Sequence, residues 1–191
     1  MKINLNEIYA QLKAWRHERG ITAESQKAGY LVNVMEEFGE LATALREYER
    51  FSKPSYPYPK NKKYAEHGII DALCDIAIFT INAGADIPCE NKPTRLELEP
   101  CLGLNNLLRE IADHQRRFNG ITLCYVLGVC ASLCHQYGFD FRIAMLETIK
   151  EISSRTGTYD EVSKKWIKDE SDEAKAKWYQ ANYELARISN E

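Results

Sequence analysis

No run of this chain is both long enough and free enough of acids to span a bilayer, and Met1-Lys-Ile-Asn-Leu-Asn-Glu7 lacks the apolar stretch of a secretory leader. The expectation is a soluble, cytoplasmic protein with no membrane partner. Excess charge is missing too: 25 Lys and Arg stand against 28 Asp and Glu, a formal net charge of −3, which argues against a nucleic-acid footprint. Proline is scarce, and its six residues fall in two stretches, Pro54 to Pro59 and Pro88 to Pro100, so helices are barred only there. No repeat or low-complexity segment is present. Six cysteines do not make a disulfide framework, because Cys74, Cys124, Cys130 and Cys134 sit within helical patterns and pack as small hydrophobes. Cys124, Cys130, Cys134 and His135 match no common zinc spacing, and only Cys130 and Cys134 share a helix face, so core packing is the better reading.

What is present is helix. The 191 residues, 45% hydrophobic, fit one domain: a core over about 5–153 and a carboxy-terminal extension over 154–191. Asn4 or Asn6 caps a first helix, Glu7 to about Arg19, with Ile8, Leu12 and Trp15 on one stripe and Gly20 ending it. Thr22 caps a second that runs to about Arg50, and a third covers Tyr64 to Ala85. Between these two, Phe51 to Lys63 reads as a basic, aromatic loop without an acid, whose Lys60, Lys62 or Lys63 can serve as a flap onto phosphate oxygens; a plain connector is the alternative.

The chemistry gathers on the second and third helices. Leu31, Val34, Met35, Phe38, Leu41, Ala42 and Leu45 recur at helical spacing, and Glu37 and Glu40, with Asn33 one turn earlier, share a face at the edge of that stripe. From Gly68 to Gly84 the side chains are almost all apolar, the exceptions being Asp71, Asp75, Thr80 and Asn82, and Asp71, Asp75 and Asn82 lie on one face. A helix apolar nearly all round is buried, and ionised carboxylates in a core are costly unless paired or bound to metal. If the two helices pack antiparallel, Glu37, Glu40, Asp71 and Asp75 converge, and four like charges call for a hard cation; oxygen donors suit Mg²⁺ or Mn²⁺.

Glu-Glu-Phe-Gly-Glu-Leu followed by Asp-Ala-Leu-Cys-Asp-Ile resembles the all-α nucleoside triphosphate pyrophosphatases, which include the MazG type, the dimeric dUTP diphosphatases and their phage-encoded relatives. The resemblance is good from Trp15 to about Gly84 and looser beyond. It implies an all-α helical bundle in which a Glu-x-x-Glu and a Glu-x-x-Asp motif hold Mg²⁺, and a nucleotide is cut to a monophosphate and pyrophosphate. By resemblance Glu37 and Glu40 form the first motif and Asp75 ends the second; Ala72 stands where an acid is wanted, and Asp71 precedes it by one residue. Asn82 matches a polar position of relatives, and Lys150, Ser154 and Arg155 stand in places loosely like those that approach phosphates there. The resemblance also implies a homodimer. Within this reading Glu37 or Glu40 is the general base and Asp75 the better fixed ligand.

Farther on, Asp86 to Pro100 reads as an irregular connection. A fourth helix follows Gly103 and ends at His114-Gln-Arg-Arg117, its cations suited to the helix terminus. Thr122 caps a fifth through Tyr137, and Asp140 a sixth from Phe141 to about Ser153. Ser154 to Lys168 is a loop or short hairpin, and a last helix starts near Ser171 with Trp178, Tyr179, Tyr183 and Leu185 as its contacts. Two rival functions are a non-catalytic nucleotide or metal sensor and a structural helical interaction protein. The latter expects Asp71 and Asp75 to be ion-paired with Arg or Lys.

Overall fold

A computed structural model describes residues 2–99, 102–160, 162 and 165–189. The chain is mostly α-helical. Strand β1 (Lys2–Asn4) leads into α1 (Asn6–Glu18), α2 (Ala23–Phe51) and α3 (Pro59–Ala83); a 3-10 turn (Cys89–Asn91) and β2 (Arg95–Glu97) precede α4 (Leu104–Arg117), α5 (Gly120–Gln136) and α6 (Phe141–Ser154). The hairpin of β3 (Gly157–Asp160) and β4 (Lys165–Lys168) follows, then one helical turn, α7 (Asp172–Lys175), and a 3-10 turn at Tyr183–Ala186.

Local chemistry sets most helix starts. Thr22 Oγ1 accepts from Ser25 N at 3.1 Å, Asp140 Oδ1 from Ile143 N at 2.9 Å and Ser171 Oγ from Ala174 N at 3.3 Å. Three starts differ from expectation. Helix α1 begins at Asn6 behind Leu5, which makes no side-chain cap, while Asn4 Oδ1 accepts from Asn6 N at 2.9 Å. Pro59 does not bar a helix but opens α3, where its missing N–H is no loss. Helix α5 begins at Gly120, capped by Asn119, whose Oδ1 accepts from Ile121 N and Thr122 N, both at 3.0 Å. Thr122 is the third residue of the helix rather than its cap: its hydroxyl accepts from Asn119 N at 3.4 Å and lies 2.8 Å from His114 Nδ1.

Helix α3 is the axis of the core: Ile69, Ile70, Leu73, Cys74, Ile76, Ala77, Ile81 and Ala83 are all buried. Cys74, Cys130 and Cys134 are buried free thiols, as the hydrophobe reading expects. Helix α2 lies along α3 and runs against it, since Ala44 meets Gly68 at one end while Tyr30 bonds Thr80 at the other. Its buried stripe is Tyr30, Val34, Leu41 and Ala44, whereas Leu31 and Met35, expected inside, are exposed. Tyr30 takes the inward place because its phenol reaches the Thr80 hydroxyl at 3.2 Å and its ring meets His114 and Phe118 edge-on.

Two elements escaped the sequence pattern. The connection after α3 contains β2, which pairs antiparallel with β1, Ile3 opposite Leu96; its last residue, Pro100, and Cys101 lie outside the described residues. The expected final helix is only the turn α7, and Trp178 to Asn182 is not helical. Side chains of α6 take the N–H groups a helix would use: Ser154 Oγ accepts from Tyr179 N at 2.8 Å, Glu151 Oε2 from Ala181 N at 2.8 Å and Glu147 Oε2 from Asn182 N at 2.9 Å. The hairpin expected before it is present, with Thr158 opposite Ile167.

Candidate metal centre

The antiparallel register of α2 on α3 decides which side chains meet. With position 44 against 68 and 30 against 80, Glu37 and Glu40 stand opposite the turn from Asp71 to Asp75. Burial first, and the neighbouring acids second, raise the carboxyls of Glu37, Asp71 and Asp75. Burial pushes the Glu37 carboxyl up from 4.5 to about 7, aided by Glu40, Asp71 and Glu36, while Lys168 pulls it down. Asp75 is raised well above the usual carboxylate range by burial and then by Asp71 and Glu37. Asp71 is raised by burial, and the Tyr183 hydroxyl, which donates to its Oδ1 at 2.5 Å, opposes the shift.

None of the four acids is ion-paired among the described residues, and Glu37, Glu40 and Asp75 have no hydrogen-bond partner there either. Arg155, the cation that most affects Asp71 and Asp75, gives its guanidinium to Glu151 at 2.6 Å. The ion pairs that a purely structural role requires at Asp71 and Asp75 are therefore not found among the described residues. All donors are hard oxygens, and three of the four acids have neither a hydrogen-bond nor an ion-pair partner among the described residues, so these residues fit a divalent cation in their chemistry. They are not closed around one: among the described residues no three His, Cys, Asp or Glu side chains already form a group able to hold an ion. A cleft of about 380 Å³ opens beside Glu40 between α2 and α3, walled by Glu36, Glu47 and Tyr64.

No protein-family model, curated protein or solved structure matches this chain.

The other expected site residues divide. Asn33 is half-buried one turn before Glu37. Asn82, two turns beyond Asp75, is buried and accepts from Arg16 Nη1 at 2.5 Å. Arg155 acts on the aspartates directly. The structure does not bring the remaining lysines to them: Lys60 is exposed on the first turn of α3, Lys63 approaches Glu184 at 3.6 Å, and Lys150 lies over the Tyr179 ring at 3.7 Å. In the 51–63 segment Lys62 sits over the Tyr48 ring at 5.1 Å.

Sequence reasoning missed four contributors. Glu151 and Arg155 occupy an i,i+4 spacing on α6, a readable ion pair, but nothing local shows that Glu151 faces Asp71 and Asp75. Lys168 comes from β4, and Arg16 reaches Asn82 across 66 positions. Tyr183 reaches Asp71 across 112 positions, with no signal in the sequence at all.

Proposed function

We propose that this protein is a Mg²⁺-dependent nucleoside triphosphate pyrophosphohydrolase that converts a ribo- or deoxyribonucleoside triphosphate to the monophosphate and pyrophosphate. The observation that carries the reading is the meeting of Glu37 and Glu40 with Asp71 and Asp75 across the α2–α3 pair, four acids without an ion-pair partner among the described residues. Mg²⁺, for which Mn²⁺ is a plausible substitute, supplies neutralisation of phosphate charge when bound. Asp71 and Asp75, on the more buried helix, would hold the ion, with Glu37 and Glu40 completing the oxygen set.

Glu37, half-buried at the edge of the core, also suits proton transfer from water, with the part of its carboxylate that the ion does not engage as the acceptor. Water attacks phosphorus at the α–β linkage, its proton passes to Glu37, the bridging P–O bond breaks, and pyrophosphate departs. Arg155 and Lys168 supply positive charge toward the phosphates. The exposed apolar residues of α2 support a second proposal, that two copies pair as a homodimer.

The decisive measurement is a nucleotide panel with Mg²⁺, scored for pyrophosphate against phosphate. Wild type should release pyrophosphate, and Asp75→Ala should lose turnover by at least about a hundredfold while keeping its helical circular dichroism, since only a ligand to the phosphate-bearing ion is removed. Pyrophosphate release by Asp75→Ala at the wild-type rate would overturn the reading. Metal and nucleotide binding without turnover in the wild type would make it a sensor.

A further inference from the structure

The four acids are not equivalent. Among the described residues Asp71 alone of the four has a hydrogen-bond donor, the Tyr183 hydroxyl at 2.5 Å from Oδ1. That phenol is buried, and facing a carboxylate oxygen it is the group with a hydrogen to donate. Its oxygen also lies 2.9 Å from Thr148 Oγ1. A buried tyrosine needing only one partner would have been satisfied by Thr148, without reaching an acid on a different helix.

The backbone that carries Tyr183 is held on both sides. Before it, the N–H groups of Tyr179, Ala181 and Asn182 go to Ser154, Glu151 and Glu147 of α6, and the Tyr179 hydroxyl goes to Glu147 as well. After it, Asp140 N donates to Ala186 O at 2.6 Å, Ile188 N to Gly138 O at 2.8 Å, and Arg187 pairs with Glu66 at 2.8 Å. The Tyr183 ring meets His67 edge-on at 5.9 Å, one turn before Asp71 on α3. A non-helical segment is thus anchored to α3 and α6 by bonds that fix one phenol against one carboxylate oxygen.

From this geometry we propose that Tyr183 is a positioning residue of the metal centre: its O–H holds Asp71 by Oδ1 and leaves Oδ2 as the oxygen offered to a divalent cation. The inference rests on the reading of the acids as metal ligands. A carboxylate fixed in this way binds without first losing its own rotational freedom, and partners of this kind are commonly worth ten- to a hundredfold in metal affinity. It also makes the carboxy-terminal segment part of the site.

The test uses the full chain and calorimetric titration with Mg²⁺ and with Mn²⁺, alongside nucleotide turnover. Tyr183→Phe keeps the ring and removes only the hydroxyl; its dissociation constant for either ion should rise about tenfold or more. Tyr179→Phe removes a bond from the same segment without touching Asp71, and its metal affinity should stay within about twofold of wild type. Equal affinity in Tyr183→Phe and wild type overturns the inference, as does an equal loss in both variants, which would mean that only the docking of the segment matters. Wild type that binds neither ion overturns the metal-centre reading itself, a result distinct from either.

Discussion

His114 shows what burial does to a titrating group away from the acids. It is buried on α4, with Nδ1 at 2.8 Å from Thr122 Oγ1 and its ring edge-on to Tyr30 and Phe118. Desolvation moves the imidazole down from 6.5 to about 4. Between those values the folded state binds fewer protons than the unfolded chain, so stability from this group is complete above pH 6.5 and is lost as pH falls toward 4. Glu37 has the opposite sign. Its carboxyl is a weaker acid in the fold, which takes up the proton first, and stability from it grows as pH falls from about 7 to 4.5. The histidine is therefore isolated by difference: His114→Asn should flatten the fall in melting temperature below pH 6.5, removing a penalty of up to roughly 3 kcal/mol by pH 4. Melting curves followed by circular dichroism from pH 4 to 8 measure this. Parallel profiles for variant and wild type would show that His114 is protonated in the fold.

At the scale of elements, the start of α5 is the tightest joint. A Cβ on Gly120 would lie 1.6 Å from the carbonyl oxygen of Asn91, in the 3-10 turn that rests on this helix end. Gly120→Ala must push that backbone away and should cost about 1 to 3 kcal/mol or more. Gly128, in the middle of the same helix, has nothing within 4 Å of the corresponding position. Gly128→Ala should instead gain about 0.5 to 1 kcal/mol from helix propensity. Urea denaturation of the two variants compares them directly, and equal midpoints would refute the contact between α5 and the turn. The same scale explains why the last helix was misread. Trp178, Tyr179, Tyr183 and Leu185 can be placed on helical contacts, yet Glu147, Glu151 and Ser154 offer better acceptors to the local N–H groups than the segment offers itself. Their competition depends on α6 lying alongside, which no window of local sequence contains.

For the whole molecule the open question is what covers α2. Leu31, Val32 and Met35 are 45%, 73% and 43% exposed, an apolar patch on the outer side of the helix. Exposed patches of this kind usually mark an interface, and two-fold pairing is the commonest assembly. Light scattering at micromolar concentration should give twice the chain mass of 22.0 kDa. Val32→Glu should give a monomer of unchanged helicity, and a monomeric wild type would refute the pairing. Among the described residues no helix is long and apolar enough to cross a membrane. Millimolar Mg²⁺ should also raise the melting temperature of wild type and leave Asp75→Ala unmoved, because an ion that binds only the folded state stabilises it.

What the sequence determined by itself is local. Thr22, Asp140 and Ser171 cap helices three residues ahead of the N–H they satisfy, and Asp71 and Asp75 fall one turn apart in an apolar run, so these features are complete within four or five residues. The burial of α3 followed from the same run, because only a core can hold a helix apolar on nearly every side. Tertiary structure alone decided the rest. Which of two apolar seams of α2 turned inward was settled by a bond from Tyr30 to Thr80, and the acids met because that bond and the Ala44–Gly68 contact set the register of two helices. Arg16 on Asn82 and Tyr183 on Asp71 join positions 66 and 112 residues apart. Contacts at that separation are chosen by packing once the chain has closed on itself, when the energy of a partner depends on geometry that neither residue's neighbours encode.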